Sequence, residues 1–275
     1  MNLSDRQQRE IAFFRRAATE DAAIADRPVN LEPARAPRSW RTRWHPYVNA
    51  YWVILRKAKK LALPDKRVLV LGCGYGEDAL QLPYLGGRVS AADLSAETVA
   101  IARRRAQAQA FFIVGIDFTV CPAERLPYAD ASFDLVYISD VAHHFDIPTA
   151  MREVRRVLKP AGLMLANEPY THSWSQAIRQ SRLVRERIYP RLVRLLYGRD
   201  RPYVTADERK LDQRDLRQIG EVLEITDMQY YSLFYARLTR WQYQLIIDRA
   251  ILMMPWAGYF LAGRVVFAGR RCARQ

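Results

Sequence analysis

The fold is decided by one stretch of the chain, Val68-Leu69-Val70-Leu71-Gly72-Cys73-Gly74-Tyr75-Gly76. A short aliphatic run predicts a buried strand, and the glycines that follow it predict a sharp turn. Because glycine has no Cβ, the backbone of such a turn can approach a ligand closely. The helix expected next offers free N–H groups to an anion. The stretch therefore predicts a ligand-binding turn between a strand and a helix.

Strands and helices alternate along the rest of the chain. We predict strands at 67–71, 88–92, 112–121, 133–139 and 162–166, a sixth within 224–238 and a seventh at 263–269. Helices are predicted at 1–27, 47–62, 148–159, 207–219 and 240–253, and from the N-cap Ser95 to about 109, with Pro83 shortening the first crossover helix. This order predicts a parallel sheet with helices on both faces.

Composition limits the class of protein. The chain has 275 residues, a formal net charge of +14 and three cysteines without a CxxC pair. A reducing cytoplasm is the expected location, since neither a disulfide framework nor an apolar leader is evident. The longest apolar stretch, 251–263, is too short to span a bilayer. The basic charge favours an anionic partner, so peripheral contact with the inner membrane surface is a further expectation.

Asp93 stands where the second strand ends, a position from which a carboxylate can bind both hydroxyls of a ribose. The turn lacks the Lys or Arg that a pyrophosphate would attract, and its third glycine comes one place earlier than in the nicotinamide pattern G-x-G-x-x-G. A sulfonium-bearing adenosine cofactor suits such a site better. A dehydrogenase remains an alternative from these residues alone.

Three further blocks lie at 122–136, 138–145 and 158–162. With the glycine turn they resemble the ordered motifs of class I S-adenosylmethionine-dependent methyltransferases, small-molecule branch, which includes the ubiquinone and menaquinone enzymes. The resemblance implies an α/β, Rossmann-like, doubly wound sheet of seven strands in the order 3-2-1-4-5-7-6, with strand 7 antiparallel. It also implies S-adenosyl-L-methionine as the cofactor.

Four segments are expected from this resemblance and the composition: an N-terminal helical cap at 1–64, a cofactor-binding core at 65–168, a basic helical lid inserted after strand 5 at 169–204, and the remaining sheet with an apolar helix at 205–275. Carried over by position, the cofactor-binding residues are Gly72, Cys73, Gly74, Gly76, Asp93, Leu94, Ala123, Glu124 and Ser139. Two positions depart from the family pattern, which has an acid at Val70 and an aspartate at Pro122.

Methyl transfer from a sulfonium needs a base only where the acceptor must lose a proton. The candidates follow strands four and five, and we predict His143, His144 and Glu168 as catalytic residues, with Tyr170 also lining the acceptor pocket. Their pattern does not indicate a metal site. The aromatic residues of the first helices are expected to cap the cofactor cleft: Phe13, Phe14, Trp44, Tyr47 and Tyr51.

The acceptor is expected to be a small or lipid-like metabolite methylated on oxygen. An Arg-rich segment at 179–201 and an apolar segment at 245–260 support this prediction, since together they suit an anionic or membrane-derived partner. Nucleic acid is disfavoured because the chain has no appended RNA-binding module. RNA methylation and a non-catalytic cofactor-binding domain are the alternatives. The sequence does not predict an oligomeric state.

Overall fold

The computed structural model describes residues 4–20, 22–35, 43–109, 115–188, 191, 209–233 and 242–271. Seven strands form one sheet in the order β3-β2-β1-β4-β5-β7-β6. They are β1 (Arg67–Leu71), β2 (Arg88–Asp93), β3 (Asp117–Val120), β4 (Phe133–Ser139), β5 (Leu158–Pro169), β6 (Leu223–Tyr231) and β7 (Arg264–Arg271). Strands β1 to β5 pair in parallel, and β7 is antiparallel to both β5 and β6. The predicted fold class is confirmed.

Ten α-helices are described around this sheet. They are α1 (Asp5–Glu20), α2 (His45–Val48), α3 (Ala50–Lys60), α4 (Glu77–Gln81), α5 (Ala96–Ala108), α6 (Ile147–Val157), α7 (Ser173–Gln180), α8 (Gln213–Val222), α9 (Gln242–Leu252) and α10 (Pro255–Leu261). Ser95 caps α5, as predicted, by accepting from the N–H of Thr98. The first crossover helix is short, also as predicted, because Pro83 lies in a 3₁₀ turn that follows α4.

The sheet separates two hydrophobic cores because successive side chains of a strand point to opposite faces. Val68 and Val70 belong to one core, whereas Leu69 and Leu71 belong to the other. The first core also contains Val53 and other side chains of α3, so this helix from the expected N-terminal cap packs directly on the sheet. The second core is built on α6 and α8. Both faces are therefore sealed, which leaves the strand ends as the place for a ligand.

Several element boundaries differ from the prediction. Helix α6 ends at Val157, and β5 begins at Leu158 because that residue already pairs with Phe133 across a bulge in the register. Helix α8, predicted at 207–219, begins only at Gln213, since the Asp212 carboxylate caps it, and continues to Val222. At Leu158 and at Asp212 a local hydrogen bond outweighed the hydrophobic pattern.

The segment expected to form a lid is described only in part. It contains α7 and a π-helical turn at Val184–Ile188, while 189–190 and 192–208 lie outside the described residues. Part of the predicted third strand, 112–114, and Cys272 also lie outside them. The division of the chain into four segments stays a prediction.

The glycine turn touches the loop that follows β4. Gly72 has a φ of +74°, and a Cβ built there would lie 2.4 Å from the side chain of Val141. Gly74 has a φ of +49°, but nothing lies within 4 Å of its Cβ position. Glycine is thus required at 72 for packing and conformation together, and at 74 for conformation alone.

Gly72→Ala should destabilise the fold by about 2–5 kcal/mol, because overpacking adds to left-handed strain. Gly74→Ala should cost about 1–2 kcal/mol, from strain alone. Denaturant unfolding measures both, and Val141→Ala should restore part of the loss in the Gly72→Ala background. Equal losses for the two alanine variants would contradict this account of the turn.

Candidate functional site

A cavity of about 460 Å³ opens at the carboxyl ends of β1, β2 and β4. The glycine turn forms its floor, and helices α1 and α3 close it from above with Gln7, Glu10, Phe14 and Tyr51. Phe14 and Tyr51 thus cap the cleft as predicted. Trp44 and Tyr47 were predicted to do the same, but both are about half exposed and neither lines the cavity. They lie at the start of α2, whose Val48 is the buried residue of that helix.

The N–H groups of the glycine turn are used within the protein. Those of Gly72 and Cys73 donate to the carbonyl of Ala92, and that of Gly74 donates to Asp93. The N–H of Gly76 donates to the carbonyl of Cys73. These four amides therefore do not face an anion, and those of Gly72, Cys73 and Gly74 tie the turn to the end of β2. The predicted role of the first N–H groups of the next helix stays a prediction.

Asp93 links the turn to the start of α5. Its Oδ2 accepts from the N–H of Gly74 at 2.8 Å, and its Oδ1 accepts from the N–H of Ser95 at 3.0 Å and the hydroxyl of Thr98 at 2.9 Å. Burial raises the pKa of Asp93, and these donors oppose that rise. The carboxylate is therefore held in one orientation, and Asp93 lines the cavity.

Eight of the nine predicted cofactor-binding residues line this cavity: Gly72, Cys73, Gly74, Asp93, Leu94, Ala123, Glu124 and Ser139. The ninth, Gly76, does not, because its Cα faces Leu80 and Ala102, where α4 packs on α5. Glu124 accepts from the side chain of Gln7 at 3.0 Å and from the N–H of Asp146 at 2.9 Å. It therefore joins α1 to the start of α6.

The cavity wall is acidic. It carries six carboxylates, and the described lining residues include no Lys or Arg: the acids are Glu10, Glu77, Asp78, Asp93, Glu124 and Asp140. A negatively charged lining favours a cationic ligand and disfavours a phosphate. The described residues contain no group of three or more His, Cys, Asp or Glu placed to hold a metal ion.

Asp78 and Gln81, both on α4, form an acceptor pair that sequence reasoning missed. Asp78 is half-buried and accepts from the hydroxyl of Tyr137 at 3.3 Å. Burial raises its pKa to about 7, and the nearby Asp140 adds to the rise. The Oε1 of Gln81 is buried and has no hydrogen-bond partner among the described residues. The remaining acceptor capacity of Asp78 and the unpartnered Oε1 of Gln81 fit a ligand that donates several hydrogen bonds, such as an ammonium group.

Asp140 is fixed by residues from two distant parts of the chain. The guanidinium of Arg264 donates to its Oδ1 at 2.5 Å, and the hydroxyl of Tyr51 donates to its Oδ2. The guanidinium also stacks over the ring of Tyr51, with the carbon 4.6 Å from the ring centroid. Asp140 has a φ of +56°, which is strained for a residue with a side chain. This network sets the shape of the cavity wall after β4.

His143 and Glu168 were predicted to be catalytic, but the structure places neither at the cavity. Glu168 is fully buried, where its carboxylate accepts from the N–H groups of Val141 and Ala142 and bonds the Nδ1 of His143 at 2.8 Å. Both side chains hold the turn after β4. The prediction that they contact the acceptor is therefore wrong, and they support the turn instead. Tyr170, also expected to line the pocket, is buried and donates to the carbonyl of Tyr259.

His144 does line the cavity, and Glu10 lies beside it. Their nearest atoms, His144 Nδ1 and Glu10 Oε1, are 3.6 Å apart. Burial and the positive charges of neighbouring groups lower the pKa of His144 to about 3. Burial, with the charge of Asp93, raises the pKa of Glu10 to about 7. The carboxylate is therefore the better proton acceptor near neutral pH.

A second cavity, of about 600 Å³, adjoins the first. Gln7, Glu124, His144 and Phe145 line both. Its outer wall carries two arginines, Arg6 and Arg209. The lining of this cavity is therefore less acidic than that of the first cavity, and His144 lies between the two.

Comparison with known proteins shows what this arrangement is similar to. Residues 69–166, about a third of the chain, match a family model described as "Methyltransferase domain".

Two curated relatives share about a third of their aligned residues with this chain. The ubiquinone/menaquinone biosynthesis C-methyltransferase UbiE of Rubrivivax gelatinosus is 35% identical over 43% of this chain and 46% of its own length. A probable phthiotriol/phenolphthiotriol dimycocerosates methyltransferase of Mycobacterium ulcerans is 32% identical over 56% and 54%. The chain thus spans about half the length of the curated relatives it matches.

Solved structures share the fold over nearly the whole chain. The [4+2]-cyclase SpnF has a TM-score of 0.60 at 18% identity, with 98% of each chain covered. A geranyl diphosphate C-methyltransferase of Streptomyces coelicolor, solved with S-adenosyl-L-homocysteine, has a TM-score of 0.58 at 16% identity, with 99% of this chain and 100% of that chain covered. Because one of the two is named a cyclase, the fold alone does not fix the reaction.

Asp78→Asn should stabilise the protein at neutral pH and above. A carboxyl whose pKa is raised in the folded state contributes stability that is complete below its unfolded pKa and is lost as pH rises through about 7. The free energy of unfolding of the unmodified chain should therefore decrease between pH 4 and pH 8. In the variant this decrease should be smaller by about 2–4 kcal/mol. Denaturant unfolding across this range measures the effect. An unchanged pH dependence in the variant would contradict the burial of a charged Asp78.

Proposed function

We propose that the protein is an S-adenosylmethionine-dependent methyltransferase that acts on a small or lipid-like acceptor. One observation carries the proposal: the cavity at the glycine turn is lined by six carboxylates and, among the described residues, by no Lys or Arg. S-adenosylmethionine carries a sulfonium and an ammonium group and no phosphate. The methyltransferase-domain match over residues 69–166 supports the same cofactor.

The residues fit the two ends of this cofactor. Asp93, at the end of β2, is placed to accept from the ribose hydroxyls. Leu94 and Ala123 supply apolar surface for adenine. Asp78 and the unpartnered Oε1 of Gln81 are placed to accept from the ammonium group. Asp78 thereby supplies from α4 the acid that the family pattern places at Val70.

When bound, the cofactor supplies a methyl group already activated by the positive sulfur. What remains for the protein is to position the acceptor and to exclude water. Helices α1 and α3 cover the cavity with Phe14 and Tyr51. The Arg264–Asp140 bond holds the wall after β4, and Glu168 holds the turn that follows it.

For the finer chemistry we propose methylation of a hydroxyl oxygen. A hydroxyl acceptor must give up its proton, and Glu10 beside His144 forms a suitable pair at the junction of the two cavities. The hydroxyl donates its one hydrogen to the Glu10 carboxylate, which takes the proton as the oxygen receives the methyl group, while neutral His144 lies beside the carboxylate. The catalytic prediction for His144 is thus kept, with Glu10 added.

The second cavity is the proposed acceptor site. Arg6 and Arg209 in its wall suit an acceptor that bears an anionic group, and Phe145 and Ile147 supply apolar contact. The names of the relatives describe enzymes of quinones and of phthiotriol dimycocerosates. These names favour a lipid-like acceptor here over nucleic acid.

Titration calorimetry tests the cofactor assignment. The unmodified chain should bind S-adenosylmethionine, and Asp78→Asn should weaken binding by about tenfold or more, since one charged hydrogen bond is lost. Glu224→Gln, an exposed residue of β6 that lines neither cavity, is the matched control and should bind as the unmodified chain does. No binding by the unmodified chain would refute the proposal and favour a domain without this cofactor.

Labelled-methyl transfer into fractionated extracts tests the acceptor. Label is expected in the lipid fraction, and carbon-13 spectra of the product separate an O-methyl from a C-methyl group. Label in the RNA fraction alone would overturn the acceptor class and leave the cofactor assignment standing.

Glu10→Gln should remove the pH dependence of methyl transfer near neutrality. Because Glu10 must be deprotonated to accept a proton, the rate for the unmodified chain should rise as pH increases through about 7. The variant should be slower by about a hundredfold at pH 8 and show no such rise. The check is the pH profile of single-turnover rates, with Glu224→Gln as control. A variant that keeps the rise would exclude Glu10 as the proton acceptor.

A further inference from the structure

Two short helices that lie side by side leave large apolar side chains exposed. We define the α7–α10 surface by Trp174 and Ile178 of α7, Trp256 and Phe260 of α10, and Met253 just before α10. Met253 is 69% exposed, Trp256 59% and Ile178 50%. The rings of Trp174 and Phe260 lie 6.5 Å apart between centroids. The side chains therefore form one patch rather than scattered contacts with solvent.

This surface belongs to the same edge of the sheet as the cavity. Helix α7 begins four residues after β5 ends at Pro169, and α10 ends just before β7 begins at Arg264. Arg264 pairs with Pro169 in the sheet, and its guanidinium reaches Asp140 of the cavity wall. Helix α7 is also joined to α8 through hydrogen bonds between Ser173 and Gln213. An acceptor that arrives at this edge is close to both cavities.

Positive charge accompanies the apolar side chains. Residues 173–191 contain five arginines and one acidic residue, Glu186. Of these arginines, Arg182, Arg187 and Arg191 are described as exposed. Aromatic and aliphatic side chains next to arginine are typical of segments that lie in the interface of an anionic bilayer. Trp256 and Trp174 suit this environment because the indole ring has an apolar body and a polar N–H.

No helix among the described residues has the length and apolarity to cross a bilayer. Helices α7 and α10, of 8 and 7 residues, would lie along a membrane surface. Exposed apolar side chains with arginines nearby in the sequence complement acyl chains and anionic lipid headgroups.

We propose that the α7–α10 surface docks the protein on an anionic lipid bilayer, beside the entrance for its acceptor. The docking itself does not require the proposed methyl transfer, although it supplies a source for a lipid-like acceptor. Arginines 182 and 187 contact the headgroups, and Met253, Trp256 and Phe260 enter the interface. The rings of Trp174 and Trp256 lie at the level of the lipid headgroups and set the depth of the two helices in the membrane interface.

Vesicle flotation without cofactor tests the docking. The full chain should float with phosphatidylcholine vesicles that contain phosphatidylglycerol, and much less with phosphatidylcholine alone. Raised salt should weaken the binding. Trp256→Ser should reduce the bound fraction by about tenfold, and Arg182→Glu with Arg187→Glu should do the same on anionic vesicles only.

The matched control is Val120→Ser, which removes an exposed apolar side chain from β3, the outermost strand on the side of the sheet away from β5 and β7. It should bind vesicles as the unmodified chain does. Circular dichroism and calorimetry with S-adenosylmethionine confirm that each variant is folded.

Failure to float with either vesicle would overturn the proposal, whatever the result of the cofactor titration. Light scattering adds a separate outcome. A dimer that is lost on Trp256→Ser, together with no vesicle binding, would assign the surface to a second copy of the chain and refute membrane docking.

Discussion

The site depends on one hydrogen bond, from the N–H of Gly74 to the carboxylate of Asp93. It joins the turn after β1 to the end of β2, and these neighbouring strands bring the two residues together although 19 positions separate them. The bond leaves the Cα of Gly74 facing open space and keeps the carboxylate at the cavity. Glycine therefore acts here through its shape, since the amides of the turn are already satisfied within the protein.

The acidic wall opposes folding and favours a cationic ligand. Asp78 and Glu10 are buried enough that the pKa of each rises to about 7, so part of their charge is disfavoured in the free protein. A cationic ligand would relieve this cost, and binding would then be coupled to stability. The Asp140 carboxylate is instead bonded by the guanidinium of Arg264.

Three separate parts of the chain meet at the carboxyl edge of the sheet. The N-terminal helices cover the cavity, the core strands supply its floor, and α7 and α10 expose apolar side chains beside it. Glu168 of β5 is an example of how this edge is held together. Its buried carboxylate accepts hydrogen bonds from the turn that follows the neighbouring strand β4. The geometry of the edge thus rests on side chains that do not line either cavity.

From the sequence, the glycine turn and the cap at Ser95 could be predicted from local spacing, and the order of the seven strands from the family resemblance of contiguous motifs. Eight of the nine residues predicted to bind the cofactor line the first cavity. The entry of Glu10, Asp78 and Gln81 into this cavity could be seen only in the folded chain, because their helices carry no motif and their positions depend on distant packing. The tertiary structure also places Glu168 outside the cavity that it was predicted to line, since strand pairing puts its carboxylate behind the cavity wall, where it supports the turn after β4.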